Sequence, residues 1–355
     1  MHKVKEKIAA NVVTYNRKGL LGECIDALLN QTYPLDAIYI IDNASTDGTP
    51  EFLMQRGLID EQVTSTKEPI EAIKLIPLTA SSDRSVEIHY VRMPENIGSS
   101  GGQYEGVKRG YDAGFDWIWV MDDDAEPENG ALASLAEYFC EEDVSCLACV
   151  VEDRIGNIQM HHRGMINFKN LLPLPQKDLN VSLYKEKKII EVDMVSFVGI
   201  LLKAEAVKLI GYPNRYFFIH NDDVEYSIRL KKAGKLLLIT KSIIIHKEQA
   251  NKELIIRRFF HKKIYIHPYD KLWIRYYGER NLIWLCKKYS ESKLNFYINL
   301  LKRYTFTQLC ILLFEDKKIN RTLFYISSIL DGLMGVFDND KPKNILYKHK
   351  LTSRP

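Results

Sequence analysis

The sequence predicts an α/β fold built on a mainly parallel, mixed sheet, followed by a basic and mostly helical C-terminal region. Three observations predict it. Short apolar runs alternate with segments of helical periodicity along the first half of the chain. Clusters of turn-forming and acidic residues stop those runs at their C-terminal ends. Positive charge is concentrated late: from Lys231 to Cys310 there are 18 Lys and Arg against 5 Asp and Glu, although the whole chain carries only +3. Strand, helix, strand, helix in succession is the pattern of a parallel sheet with helices on its faces.

The elements follow in order. Ile8 to Thr14 is a strand-like run ending at Tyr15-Asn16-Arg17, and Leu20 to Leu29 repeats apolar residues at helical spacing. Ala37 to Ile41 is a second run, stopped by Asp42-Asn43-Ala44-Ser45-Thr46-Asp47-Gly48, and Thr49 to Met54 starts a second helix. Residues 57–84 form a polar insertion, read as a surface loop or hairpin. Val86 to Val91 alternates as a strand, Asn96 to Gly102 reads as a glycine-rich loop, and Gln103 to Tyr111 as the helix it opens. Trp117 to Met121 is an apolar strand ending in three aspartates, with a helix after Pro127 through Phe139. The second half predicts a strand at Val195 to Leu202, a helix at Glu205 to Ile210, a helix at Val224 to Ala233 and a strand at Leu236 to Ile245. A domain border is placed at residue 250: a first domain over 1–250, in two parts over 8–150 and 151–250, and a basic, aromatic region over 251–355.

A composition of 46% hydrophobic and 27% charged residues excludes wholesale disorder. The six cysteines have no framework spacing, and Cys146 and Cys149 sit in a strand-like run as buried thiols, which fits a reducing, cytoplasmic compartment. Asn11 breaks the apolar run near the N-terminus, so that run reads as a first strand and not as a signal peptide. No stretch reaches the ~20 apolar residues that span a bilayer, so a membrane contact would be peripheral. Base-stacking and groove-reading motifs are absent, which argues against nucleic acid as a partner.

Ligands of an open parallel sheet bind beyond the carboxyl ends of its strands. Thr14-Tyr15-Asn16, Asp42-Asn43 and Asp122-Asp123-Asp124 all fall there. A carboxylate only accepts hydrogen bonds, so Asp42 suits a base N–H or a ribose hydroxyl, and equally a turn cap. Adjacent carboxylates repel unless a cation compensates. Strand alternation places Asp122 and Asp124 on one side, where two oxygens suit Mg²⁺ or Mn²⁺, and turns Asp123 away. The small residues from Asn96 through Gly98 to Gly102 allow backbone N–H groups near a phosphate at a helix start. Asp222, Asp223 and Glu225 open a helix behind Phe217-Phe218-Ile219-His220. One of them would cap that helix, and a carboxylate there can serve as a general base. His246 ends an apolar run and could ligate a metal or touch a diphosphate.

Taken together, Val12 to Arg17, Ile41 to Thr49, Asn96 to Gly102, Met121 to Asp124 and Asp222-Asp223-Val224-Glu225-Tyr226 with Arg229 resemble the family-2 inverting glycosyltransferases of the GT-A fold. The resemblance covers residues 8 to about 250. It implies a Rossmann-like nucleotide-sugar domain, donor binding by Thr14, Tyr15, Asn16, Arg17, Asp42, Asn96, Gly98, Asp122 and Asp123, and a divalent Mn²⁺ or Mg²⁺ on Asp122, Asp124 and His246. It further implies Asp223 as the catalytic base and Asp222 or Glu225 at acceptor hydroxyls. The paired glycines, the triple aspartate and the Asp-Asp-Val-Glu-Tyr run resemble bacterial galactofuranosyltransferases, with rhamnosyltransferases as close relatives. Tyr276-Tyr277-Gly278-Glu279-Arg280-Asn281 resembles a segment found after the catalytic domain in both groups and receives no role. The expected activity is metal-dependent inverting transfer from a nucleotide sugar, UDP-galactofuranose first, to a glycan or polyprenyl-diphosphate acceptor of a bacterial surface polysaccharide. The alternatives are transfer from dTDP-rhamnose or another UDP-hexose, nucleotidyl transfer, and a scaffold that binds UDP without turnover. The basic C-terminal region reads either as helices packed by Trp273, Tyr276, Tyr277, Ile283 and Trp284, or as a contact with an anionic inner leaflet.

Overall fold

The structure, a computed structural model, describes residues 5–61, 63, 67–78, 84–172, 175–247, 255–259 and 262–351. Its elements are β1 (Ile8–Thr14), α1 (Lys18–Leu29), β2 (Ala37–Asp42), α2 (Thr49–Gln55), β3 (Ile70–Pro77), β4 (Ser85–Arg92), α3 (Gly98–Asp112), β5 (Trp117–Asp122), β6 (Ala125–Pro127), α4 (Ala131–Ala136) and β7 (Val144–Glu152). There follow β8 (Arg163–Ile166), β9 (Gln176–Asp178), α5 (Val181–Glu186), β10 (Ile189–Val192), β11 (Met194–Val195), β12 (Ile200–Lys203), α6 (Ala204–Ile210), α7 (Asp222–Ala233) and β13 (Lys235–His246). The last are β14 (Ile255–Phe259), β15 (Lys262–Ile266), α8 (Trp273–Tyr289), α9 (Lys293–Phe314), α10 (Lys318–Met334) and α11 (Lys341–Leu351).

The chain divides into two compact units. One comprises Met1–Met165, Asp178–Arg215 and Asp223–Glu248; the other comprises Ile166–Lys177, Tyr216–Asp222 and Gln249–Pro355. The sequence predicts a single cut at 250, whereas two earlier segments belong with the later residues. In the first unit a ten-stranded mixed sheet runs β10-β13-β7-β12-β5-β1-β2-β4-β3, with β6 added to β13. β5, β1, β2 and β4 form a parallel block. β12 enters antiparallel between β5 and β7. Every residue of β1 and β2 is buried, as expected of strands covered on both faces.

Local differences from the sequence expectation have physical causes. The polar insertion contains β3, an edge strand pairing antiparallel with β4, so the hairpin reading applies to its described part. The run from Val195 to Leu202 breaks into β11 and β12, with Gly199 between them at φ +70°, in the left-handed region that glycine enters freely. The glycine-rich segment is helix from Gly98 onward and not a loop. Glycine is a poor helix former, so packing must supply what propensity does not.

That packing is visible in a stripe at four-residue spacing. A Cβ on Gly102 would lie 2.5 Å from Val13 Cγ1, one on Gly106 would lie 1.7 Å from Asn11 Oδ1, and one on Gly110 would lie 3.1 Å from Ile118 Cγ1. α3 thus lies nearly backbone-to-sheet over β1 and β5. Asn11, the polar break in β1, is matched there by Gln103, whose Oε1 accepts from Asn11 Nδ2 at 2.7 Å.

In the second unit β14 and β15 pair antiparallel, so its described part is not helical throughout. Its core gathers Leu272, Tyr276, Ile311, Phe324, Tyr325 and Leu346 from α8, α9, α10 and α11. Gly332 brings α10 against α8, since a Cβ there would lie 2.6 Å from the Arg280 carbonyl oxygen.

Gly106→Ala is expected to lower the unfolding free energy by about 1–3 kcal/mol, through overpacking against Asn11. Urea denaturation measures this. Gly19→Ala, where a Cβ meets nothing within 4 Å, is the control. Equal midpoints for the two variants would remove the stripe from the account of helix docking.

Candidate active site

The parallel block ends level. Thr14 pairs with Asp42, Val13 with Asp122, and Asp42 with Arg92. Three of the sequence-predicted clusters therefore meet along one sheet edge because their strands share a register.

At the centre, β5 stops at Asp122, and Asp123 and Asp124 lie in a turn. Strand alternation does not extend across the triplet. Asp122 Oδ1 accepts from Gln103 Nε2 at 3.1 Å. Asp123 Oδ2 accepts from Thr14 Oγ1 at 2.7 Å. Arg17 then bridges the other two carboxylates, at 2.7 Å to Asp123 Oδ1 and 2.6 Å to Asp124 Oδ2. Asp123 and Asp124 therefore share a cation, where alternation would turn them apart. Burial pushes the Asp122 carboxyl up to about 7, with the Asp124 charge adding to the effect. Burial also pushes Asp123 up to about 6 against the pull of Arg17. For Asp124 burial works upward too, but the His246 hydrogen bond and the Arg17 charge hold it below the usual carboxylate range.

His246, at the end of β13, lies with Nε2 3.4 Å from Asp124 Oδ1. Its Nδ1 meets Gln159 Oε1 at 2.9 Å, and the same oxygen meets His162 Nε2 at 3.1 Å. With that oxygen accepting, Nδ1 of His246 carries a proton, which leaves Nε2 as the ring nitrogen that faces the Asp124 carboxylate. A carboxylate oxygen beside an imidazole is a donor set that suits Mn²⁺ or Mg²⁺. Among the described residues, no three His, Cys, Asp or Glu side chains gather closely enough to hold a metal by themselves. Phosphate oxygens would have to complete such a site. Asp124 and His246 are brought together; Asp122 is occupied by Gln103.

Asp42 is fully buried, and its carboxylate is well served. Oδ2 accepts from Tyr90 Oη at 2.5 Å and from Arg92 Nη1 at 2.9 Å, and Oδ1 accepts from the Ser45 N–H at 2.8 Å. Asn16, at φ +55°, accepts the Thr46 N–H on Oδ1 at 2.6 Å and donates its own N–H to Ser45 Oγ at 2.9 Å, tying the loops after β1 and β2 together. Tyr15 beside it is 42% exposed, the most open aromatic of this edge. Asn96 Oδ1 accepts the Gly98 N–H at 2.8 Å, so it also holds the start of α3.

The second acidic cluster opens α7. Asp222 is buried, Asp223 is half-buried, and Asp223 Oδ1 accepts the Val224 N–H at 2.7 Å. Glu225 is 2% exposed, and Arg229 grips both its oxygens at 2.9–3.1 Å while donating to the carbonyls of Ile210 and Tyr212. This ion pair fastens α7 to the end of α6. Asp223 is among the charges felt by Arg163, which is buried and donates to the carbonyls of Cys149, His162 and Val198 at 2.6–2.9 Å.

Within the second unit, the segment leading to α7 holds Phe218, His220 and Asn221 at φ +67°, +69° and +61°. Such conformations cost about 1–3 kcal/mol each and persist only when surroundings fix them. Asn281 fixes them here: its Nδ2 donates to the carbonyls of Phe217, Ile219 and His220 at 2.9–3.0 Å, and Arg280 adds a bond to the Phe217 carbonyl at 3.0 Å. Arg280 and Asn281 stood out in the sequence as part of a recognisable segment but received no role, whereas Gln103, Gln159, Arg163 and Arg92 were missed. Arg92 ends a strand at the ligand edge and could have been found by that rule. Gln103, Gln159 and Arg163 act through distant partners and carry no local signal.

Two outcomes follow from this geometry. A carboxyl whose pKa is raised in the fold penalises stability only as pH rises above its unfolded value, and fully above about 7 for Asp122. Asp122→Asn, which keeps the oxygen facing Gln103, should therefore stabilise the protein by on the order of 1 kcal/mol at pH 8 and by less at pH 5. Thermal melts at the two pH values check this, and an equal gain at both would reject the buried-charge account. Asn281→Ala removes the side-chain donor of the Ile219 and His220 carbonyls, while Phe217 keeps Arg280, and hydrogen exchange should accelerate through residues 217–222. Unchanged exchange there would show that the clamp is not what holds the segment.

The molecule was compared with known proteins. A family model described as glycosyl transferase family 2 matches residues 11–64 and 60–196, more than half of the chain. Galactofuranosyltransferase GlfT1 of Mycolicibacterium smegmatis is 27% identical over 64% of this chain and 67% of its own length. The protein of the same name from Mycobacterium tuberculosis is 24% identical over 64% of this chain and 66% of its own. Among solved structures, GalNAc-T7 with UDP, GalNAc and Mn²⁺ superposes with a TM-score of 0.55 at 12% identity, covering 93% of this chain and 56% of that one. TarS 1–349 of S. aureus superposes at 0.53 and 11% identity, covering 98% and 92%. The fold is that of the GT-A glycosyltransferases, a mixed, mostly parallel sheet with helices. On the family match across residues 11–196, the chain belongs to glycosyl transferase family 2 and is a glycosyltransferase.

Proposed function

We propose that this enzyme transfers galactofuranose from UDP-galactofuranose, with inversion and with the help of a divalent cation, to a glycan or polyprenyl-diphosphate-linked acceptor of a bacterial surface polysaccharide. The observation that carries the metal-assisted reading is the Asp124–His246 pair, a carboxylate oxygen and an imidazole nitrogen 3.4 Å apart at the end of the parallel block. The donor assignment is supported by the two relatives named galactofuranosyltransferase.

Mn²⁺ or Mg²⁺ on Asp124 and His246 would supply Lewis-acid stabilisation of the departing diphosphate. The remaining work belongs to side chains. Arg17, which carries a guanidinium beside the same carboxylates, adds positive charge where phosphate oxygens would lie. Asp42, Thr14, Tyr15 and Asn16 border the place for the nucleoside, with Asn96 and Gly98 at the adjoining helix start; Asp122 and Asp123 lie on the sugar side. Asp223 takes the proton of the acceptor hydroxyl as it attacks the anomeric carbon from the face opposite the diphosphate. The charge that develops on the sugar resembles an oxocarbenium ion. Asp222 would meet acceptor hydroxyls. Glu225 contributes more by anchoring α7 through Arg229 than by touching substrate.

A donor screen with and without Mn²⁺ and Mg²⁺, read as nucleotide release and as product anomer, tests the proposal. UDP-galactofuranose should outrun other UDP-hexoses and dTDP-rhamnose, and the product should be inverted. Asp223→Asn should lower transfer about 10²–10⁴-fold with donor affinity retained. Wild-type turnover in that variant would remove the base, and metal-independent wild-type activity would remove the cation.

A further inference from the structure

In the second unit, α9 and α10 carry apolar side chains that the fold leaves outside. On α9, Leu294, Leu301 and Leu312 are 70%, 64% and 59% exposed. On α10, Ile319, Leu323 and Leu330 are 76%, 58% and 48% exposed. Their spacings of 4, 7 and 11 residues are whole numbers of helical turns, so each helix presents one continuous stripe. A groove of about 350 Å³, lined by Leu301 and Tyr304 from α9 and by Ile326 and Leu330 from α10, joins the stripes into a single face. The core does not need these residues. Tyr276, Tyr277 and Ile283, aromatic and apolar candidates in the sequence, are fully buried and already build it. Contiguous exposed apolar surface of this kind marks an interaction site.

Charge selects the occupant. Lys293, Lys302, Lys317 and Lys318 are exposed on or beside the two helices. Of the nearby acids, Glu315 and Asp316 are engaged by Arg321 and Asp331 by Lys341 and Tyr276, while Glu291 is exposed just before α9. The face is therefore apolar with a cationic rim. A second copy of the chain would set lysine against lysine, whereas an anionic lipid surface accepts both the leucines and the rim. No helix among the described residues is long and apolar enough to cross a membrane, so the helices would lie along the surface and not through it.

We propose that the α9–α10 face docks flat on an anionic bilayer, leucine stripes below the headgroups and lysines among them. The face is remote in sequence from every residue given to the donor, and the proposal stands without the donor assignment. Binding there would give the enzyme access to acceptors carried on lipid.

The full chain is tested by co-sedimentation with vesicles of phosphatidylcholine alone or mixed 3:1 with phosphatidylglycerol, at low and high salt. Wild type should bind the anionic vesicles, and at least about tenfold less to neutral vesicles or at high salt. Leu301→Asp combined with Leu323→Asp, both at exposed positions, should reduce binding about tenfold or more with melting temperature and nucleotide release unchanged. If that variant melts early, Leu301→Ser with Leu323→Ser replaces it and is read in the same way. Equal binding by wild type and the folded double variant would overturn the proposal. So would sedimentation equilibrium showing a wild-type dimer that the variant splits, which would assign the face to self-association. Loss of nucleotide release in wild type, with vesicle binding intact, would count against the proposed reaction only.

Discussion

Arg17 lying across Asp123 and Asp124 is the interaction on which the site depends. Three carboxylates follow one another at the end of a buried strand, and desolvation opposes the charge on each. Such a cluster survives in a fold only if fixed positive charge is built in. One guanidinium from the loop after β1 provides it, which requires the first strand and the strand before the aspartate turn to be in register. Arg17 is also 43% exposed on its side chain, so the compensating charge is open to solvent. In the proposed reaction the same group would meet the diphosphate.

The carboxylate edge was legible in the sequence because a short, uniformly apolar strand followed by acids has few other readings in a parallel sheet. Thr14, Asp42 and Asp122 occupy the same level for that reason. The inner arrangement was not legible. Alternation assigns faces only while the backbone is extended, and the chain turns immediately after Asp122. Gln103 and Gln159 were invisible because each acts as an amide linking distant elements, Asn11 with Asp122 and His162 with His246. The glycines of Asn96 to Gly102 were legible only in part. The segment reads as a loop, yet it is helix from Gly98 onward, and Gly102 is needed where α3 approaches Val13 of the sheet. Local composition cannot separate a ligand's need for space from a helix's.

The later part of the chain shows the complementary case. Its basic and aromatic character was evident, but the residues that stood out, Tyr276, Tyr277 and Ile283, are the ones the core consumes. The exposed stripes of α9 and α10 resemble ordinary amphipathic helix when read along the sequence, and only the completed packing reveals that both faces are apolar. Likewise Arg280 and Asn281 acquire a task only when the left-handed segment before α7 is seen to need donors.

β13 enters the sheet between β10 and β7, and its last residue is His246. The parallel block that carries Asp42 and Asp122 is complete some 120 residues earlier. During synthesis at about 5–20 residues per second, the aspartate turn therefore waits roughly 6–25 s before its histidine partner exists. Through that interval Arg17, already made, is the neighbouring cation available to it within the parallel block. The turn thus meets its arginine before its histidine, and in the finished fold it keeps both.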